Sequence, residues 1–228
     1  MPPRPGTRAH AQEIVRILAE EYGPRPWRRH HDPVSELVTT VLSQSTTDAN
    51  QHRAFASLRA AFPSWEAVAA APAQEVVAAV RTAGMATQKG PRIQRILRAV
   101  AAEPRGGDLE WLGEVPLQEA MDWLTSLEGV GPKTAACVLC FSFDRHVLPV
   151  DTHVHRIALR LRLVPARTPP ARAQERLTRL VAHEETYAAH MRMVAHGRVL
   201  CRSQGPRCGA CPLLPLCPAG RRGIVSGV

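Results

Sequence analysis

The sequence predicts an all-α protein, and three observations carry that prediction. Apolar residues recur at i, i+3 and i+4 spacing through most of the chain. Aromatic residues make up only 4% of it, and β-branched runs are scarce. Capping residues or prolines stand at the heads or tails of the periodic stretches. In chain order, residues 13–22 (EIVRILAEEY) carry a stripe of Ile14, Ile17 and Leu18 that turns polar at Glu21. Asp32-Pro33 then reads as a cap followed by proline at the first helical position. Val34, Leu37, Val38, Val41 and Leu42 make the buried face behind it. The run 43–48 (SQSTTD) interrupts that face and offers a new cap at Thr46 or Thr47. The helix it opens reaches about Ala61, before Pro63. Further helices fit 65–71, 74–82 and 91–102. In the last, Ile93, Ile96, Leu97 and Val100 turn inward while Arg92, Arg95 and Arg98 lie elsewhere. Residues 104–116 read as a loop, and no repeat of 20–50 residues is present.

The chain has 228 residues, enough to bury a core without disulfides. At 45% hydrophobic and 21% charged it is not a disordered polymer. No run approaches the ~20 apolar residues of a membrane span, and the N-terminal stretch MPPRPGTRAHAQE lacks the apolar core of a signal peptide. The expected compartment is therefore the cytoplasm. Lysine and arginine total 29 against 20 acids, a net charge of +9. Such a balance suits a polyanion partner, most often nucleic acid; GC-rich codon usage, which favours arginine, is the competing explanation. Only Lys89 and Lys133 are lysines; the other 27 cations are arginine. Arginine replaces lysine wherever charge alone is wanted, but a guanidinium cannot become a neutral amine nucleophile. The two surviving lysines are therefore informative.

Leu117, Met121, Leu124 and Leu127 line a helix that ends at Gly129-Val130-Gly131. A second apolar helix follows at once, with Pro132 at its start and Lys133 in its first turn. The Gly-Val-Gly turn is tight enough to need glycine dihedrals. The amides that open the second helix offer a place for a phosphate; a plain αα-hairpin is the alternative reading. This is not a phosphate-binding Walker loop, which needs glycine beside the Lys-Thr pair and a strand before it. The helix dipole disfavours the Lys133 ammonium by roughly 0.3–1 kcal/mol, too little to free the amine without burial or neighbouring charge. Eighteen residues on, Asp151 opens another helix containing Ile157, Leu159 and Leu161. A plain N-cap is the alternative to a catalytic role for it.

Four of the six cysteines, Cys201, Cys208, Cys211 and Cys217, are spaced C-x6-C-x2-C-x5-C among glycines and prolines that bend the chain. Four thiolates suit zinc or an iron–sulfur cluster on chemistry alone. Cys137 and Cys140, on the apolar second helix, read as small core residues. His153 and His155 are two apart and share no helix face, so they make no metal pair. Arg202, Arg207, Arg221 and Arg222 give the tail a basic surface.

LEGVGPKTAACVL followed by LPVDTHVHR, together with VLSQSTTDAN and the cysteine tail, resembles the endonuclease III family of helix-hairpin-helix (HhH-GPD) DNA glycosylases, from about residue 13 to 218. The resemblance implies Lys133 as the nucleophile that attacks the sugar C1′ and Asp151 as the essential carboxylate. It also implies a [4Fe–4S] cluster on the four cysteines, of structural rather than redox use. The substrate it implies is duplex DNA carrying oxidised pyrimidines or abasic sites, with base flipping, glycosidic cleavage and β-elimination. Adenine-excising relatives generally lack the lysine. Gly129, Val130, Gly131 and Thr134 are then expected at the DNA, and Met85 matches the family's apolar wedge. Lys89, beside that wedge, is expected to contact phosphate. Where the family commonly has S-A-Q-A-T-D this chain has SQSTTD, so Gln44 or Ser45 fills the gap left by the flipped nucleotide. His153 is a candidate for the base pocket, with a structural role as the alternative. Two helical domains are implied: 26–144 with the hairpin, and 1–25 joined to 145–228 with the cluster, Lys133 and Asp151 facing each other across a cleft. A monomer, nucleoid-associated, is expected. Two other readings stand beside this one: a mismatch- or abasic-site-directed enzyme of the same superfamily, and a non-catalytic iron–sulfur helix-hairpin-helix module. The second gives no reason for Lys133 with Asp151.

Overall fold

The computed structural model describes residues 3–223, and all regular structure among them is helical. The chain divides into two compact units, one formed by residues 29–145 and one by the N-terminal segment up to Arg28 joined to the chain from His146 onward. Among the described residues no helix is long and apolar enough to cross a membrane.

The continuous unit holds seven helices: α2 (Pro33–Ser43), α3 (Asp48–Ala61), α4 (Trp65–Ala70), α5 (Ala73–Ala79), α6 (Ala86–Ala101), α7 (Leu117–Ser126) and α8 (Pro132–Phe143). Asp32 caps α2 by accepting from the Ser35 amide at 2.9 Å. Thr47, rather than Thr46, caps α3 through the Asn50 amide. The inward faces predicted for α2 and α6 are buried, with Leu37, Val41, Leu42 and Ile93 fully covered. Fully burying such side chains contributes roughly 1.5–3 kcal/mol each. Within the predicted loop 104–116, Glu110–Gly113 forms a short 3-10 turn. There Trp111 meets Trp123 edge-on, and Arg105 lies 3.4 Å from the Trp111 ring centre. Arg145 straps the same segment through the carbonyls of Leu112, Gly113 and Val115.

One boundary is corrected. The spacing places the start of α6 at Pro91, but the helix begins five residues earlier and contains that proline. Met85, in the left-handed region at φ 50°, sets the chain into its first turn, where the Lys89 amide donates to the Met85 carbonyl at 2.9 Å. The missing Pro91 N–H removes a single bond, the one that Thr87 would have accepted.

The split unit is built from α1 (Arg8–Tyr22), α9 (Thr152–Arg160), α10 (Pro170–Leu180), α11 (His183–Val199) and the short α12 (Pro218–Arg221). Its core includes Ile14, Leu18, Val154, Ile157, Leu177 and Met193. The first helix starts five residues before the predicted stretch because Thr7 caps it through the His10 amide. The long α11 had no clear stripe to announce it: its buried positions include Thr186, His190, Arg192 and His196 besides apolar residues. Arg192 ties it to the Gly23 carbonyl and pairs with Glu185 of the same helix.

Candidate active site and cysteine cluster

Lys133 is the second residue of α8, directly after Pro132, and is half-buried. No side chain caps this helix start. The turn before it is closed by the Val130 amide donating to the Leu127 carbonyl at 3.0 Å. Gly129 is required there twice over. Its φ is +83°, and a Cβ would stand 2.4 Å from Cδ and Nε of Arg92. Gly131, at φ −95° with open space around it, needs no glycine, which corrects that half of the expectation.

The arginines of α6, left without a role by sequence reasoning, explain why the turn is held. Arg92 crosses Gly129 and donates to Gln44 Oε1 at 3.0 Å, and Arg95 pairs with Glu128 at 2.8 Å. One helix thus braces both the hairpin turn and the segment after α2. Val130 and Thr134 are buried, so neither side chain is presented outward. Gly129 and Gly131 are the exposed members of the turn. After α2, Gln44 is half-buried against Arg92, whereas Ser45 is exposed with its backbone at φ 52°. Met85 is 51% exposed at the head of α6.

Lys89 overturns its expectation. It is only 1% exposed, and its ammonium donates to the carbonyls of Leu42 and Ala83, each at 2.8 Å. Burial, then the nearby Arg92, holds its pKa below the ordinary lysine value. A phosphate cannot reach it. What it does is tie the end of α2, which carries Gln44 and Ser45, to the turn that carries Met85.

Sequence reasoning also missed Glu36. The carboxylate is 3% exposed on α2, and burial pushes its pKa up to about 7. Thr40 donates to Oε1 at 3.3 Å and, like the Lys133 ammonium, holds the value down, while Asp32 raises it. Oε2 is buried without a hydrogen-bond partner. Only its place among apolar residues of a helix, where a carboxylate is costly, marks it in the sequence.

In the split unit Asp151 caps α9: its Oδ1 accepts from the Val154 amide at 2.8 Å. The approach to it is strapped by His190 Nδ1, 2.9 Å from the Pro149 carbonyl, and by Thr178 accepting from the Leu148 amide. His153 packs onto Gly197, where a Cβ would come within 2.7 Å of it, and its Nδ1 lies 3.0 Å from Arg156.

Cys201, Cys208, Cys211 and Cys217 line one cavity, closed on its other sides by residues including Ile157 and Leu213. Donors approach the sulfurs: Arg160 to Cys201 at 3.3 Å and the Gly220 amide to Cys217 at 3.3 Å. His196 Nε2 lies 3.6 Å from Cys211, while its Nδ1 meets the Tyr22 hydroxyl at 2.9 Å. Burial lowers His196 to about 4. Burial, then the neighbouring cysteines, pushes the Cys211 thiol up to about 11. Four crowded sulfurs with donors around them suit thiolates gathered on a positive core. Among the described residues no three His, Cys, Asp or Glu side chains converge as a single-ion site. Cys137 and Cys140 are buried core residues, as expected.

Residues 38–183 match the model of the HhH-GPD superfamily base excision DNA repair protein. The chain is 36% identical over 211 residues to Endonuclease III of Thermotoga maritima, covering 92% of this chain and 94% of that one. It is 37% identical over 163 residues to the putative DNA glycosylase At3g47830 of Arabidopsis thaliana; the match takes in 72% of this chain but only 56% of the longer plant protein. A solved trapped Endonuclease III–DNA covalent intermediate superposes with a TM-score of 0.81 at 28% identity, over 96% of this chain and 99% of that one.

Proposed function

The chain belongs to the HhH-GPD superfamily of base excision DNA repair proteins, and on that premise we propose that it excises a damaged base from double-stranded DNA and then cuts the strand by β-elimination. One observation carries this reading: of only two lysines, one is locked inside the fold and the other, Lys133, stands half-buried at the uncapped head of the hairpin helix. The exposed Gly129 and Gly131 bring a phosphate up to the turn. Met85 wedges into the duplex and Ser45, with Gln44 behind it, faces the gap left by the flipped nucleotide. Extrusion is needed because C1′ is out of reach in a stacked duplex, at a cost of a few kcal/mol.

The neutral amine of Lys133 attacks C1′, and the base leaves with the electrons of the glycosidic bond. Asp151, whose second carboxylate oxygen takes no part in the helix cap, stabilises the positive charge that develops on the sugar. The amine gives up a proton and the C1′–O4′ bond breaks, O4′ taking a proton, which opens the sugar to an imine. A proton lost from C2′ to water then forms the C2′=C3′ double bond as the C3′–O bond to the 3′ phosphate breaks, and water hydrolyses the imine to release the enzyme. Oxidised pyrimidines such as thymine glycol are the substrate class. Cys201, Cys208, Cys211 and Cys217 hold a [4Fe–4S] cluster, which when bound cross-links the C-terminal loop without entering the reaction.

Borohydride reduction of the enzyme with abasic-site duplex is expected to trap a covalent adduct that Lys133→Ala abolishes. An adduct surviving that substitution refutes the assignment. A panel of lesion duplexes, with Asp151→Ala as control, identifies the base, and a preference for mismatched thymine would move the substrate class. The holoprotein is expected to absorb near 400 nm; a colourless, zinc-containing preparation would refute the cluster.

A further inference from the structure

The buried carboxylate of Glu36 has no part in the chemistry above, yet it lies in the unit that carries Lys133. Helix α2 packs against α8, and Glu36 acts electrostatically on two residues of α8, Lys133 and Cys140. These are seven residues apart, two helical turns, so they share one face of α8. That face is the one Glu36 addresses. Its Oε1 takes the Thr40 hydroxyl, and Oε2 is sealed from water with no donor. Leaving a buried acceptor unpaired costs stability, and so asks for a reason.

Resting on the reading of Lys133 as the nucleophile, we propose that Glu36 is a positioning residue for it: the carboxylate on α2 draws the lysine head group toward the interior of its unit and holds the proton on it. The charge state of the nucleophile in the resting enzyme is then set from α2 and not by its own helix alone. Asp32, on the cap of the same helix, works against the Glu36 charge. On α8 the facing groups are Lys133, Cys137 and Cys140. The cations of α6 engage the opposite end of α2, Lys89 at the Leu42 carbonyl and Arg92 at Gln44. The buried positions of α3 are Gln51, Ala54 and Leu58, all uncharged.

The sign follows from Coulomb's law: an anion beside an ammonium favours the ammonium, so removing the anion lowers the lysine pKa. With two lysines in the whole chain, reductive ¹³C-methylation of the full-length protein gives one titrating lysine signal, from Lys133, beside the buried Lys89. In Glu36→Gln the Lys133 midpoint is expected to fall by about one pH unit. The acid limb of borohydride trapping on abasic-site duplex should move with it, a roughly tenfold faster rate below the limb. Thr40→Val, which withdraws the donor that favours the Glu36 carboxylate, should move both the same way by less, and decides the matter if Glu36→Gln does not fold. An unmoved Lys133 midpoint in a folded variant overturns the proposal. The titration needs no DNA, so it stands apart from the lyase reading, whose failure would show as an adduct surviving Lys133→Ala.

Discussion

Replacing Lys89 by methionine keeps most of the side chain's bulk and removes only the ammonium. Two acceptors then lose their donor: the carbonyls of Leu42 and Ala83, each bonded at 2.8 Å and buried. Hydrogen bonds to a charged donor contribute about 1.5–3 kcal/mol each, and a buried acceptor left unpaired costs about 1–3 kcal/mol. Against this stands the relief of a desolvated ammonium, visible in the lowered Lys89 pKa. A net loss of about 2–4 kcal/mol follows, a large share of the stability of an ordinary domain. Urea denaturation followed by tryptophan emission reads it well, because Trp65, Trp111 and Trp123 lie in the continuous unit and only Trp27 in the other. The arginine variant is also expected to lose about 1–3 kcal/mol, since the larger planar fork overfills a space shaped for an ammonium. A loss below about 1 kcal/mol for Lys89→Met would show that water satisfies these carbonyls and that the clamp is not structural.

Three further outcomes can be checked. Gly129→Ala should destabilise by about 2 kcal/mol or more and weaken binding to duplex DNA, from left-handed strain plus the clash with Arg92, while Gly131→Ala should stay within about 0.5 kcal/mol; equal losses at both would refute the distinction. Glu36 has a folded pKa of about 7 against an ordinary value near 4.5, so the stability it contributes is complete below about pH 4.5 and is lost as pH rises through about 7. Melting curves of Glu36→Gln and the wild type should therefore lie closest at low pH and diverge in favour of the variant by up to about 3 kcal/mol near pH 8. Met85→Ala should leave the melting temperature unchanged, its side chain being exposed, and slow single-turnover base release by tenfold or more; unchanged turnover would remove Met85 from the flipping step.

Much of this architecture is legible in the residues themselves. The hairpin announces itself through Gly129-Val130-Gly131-Pro132 because backbone dihedrals and helix starts have strong local chemistry. The four tail cysteines announce themselves through spacing. Lys89 did not, because a lysine two residues before a proline reads as surface, and nothing local shows that two carbonyls wait for its ammonium across 6 and 47 residues of chain. Glu36 and Arg92 went unread for the same reason: each is defined by a partner on another element, Lys133 on α8 and Gly129 in the hairpin turn. The start of α6 departs from the proline boundary because the left-handed Met85, whose conformation is not written in its residue type, opens the helix five residues before Pro91. Helix α11 went unread because polar side chains fill many of its inward positions.

The passage of Arg92 over Gly129 carries an evolutionary consequence. With 2.4 Å between the arginine side chain and the place a Cβ would occupy, a side chain at 129 can enter only by displacing that of Arg92. A lineage that acquires another residue at 129 must swing the Arg92 side chain aside or shorten it, and in either case it gives up the donor to Gln44. Substitution at the hairpin turn should thus be accompanied, across descendants of this sequence, by change at 92 and relaxed constraint at 44. Three positions scattered over some 85 residues of chain are inherited as one character.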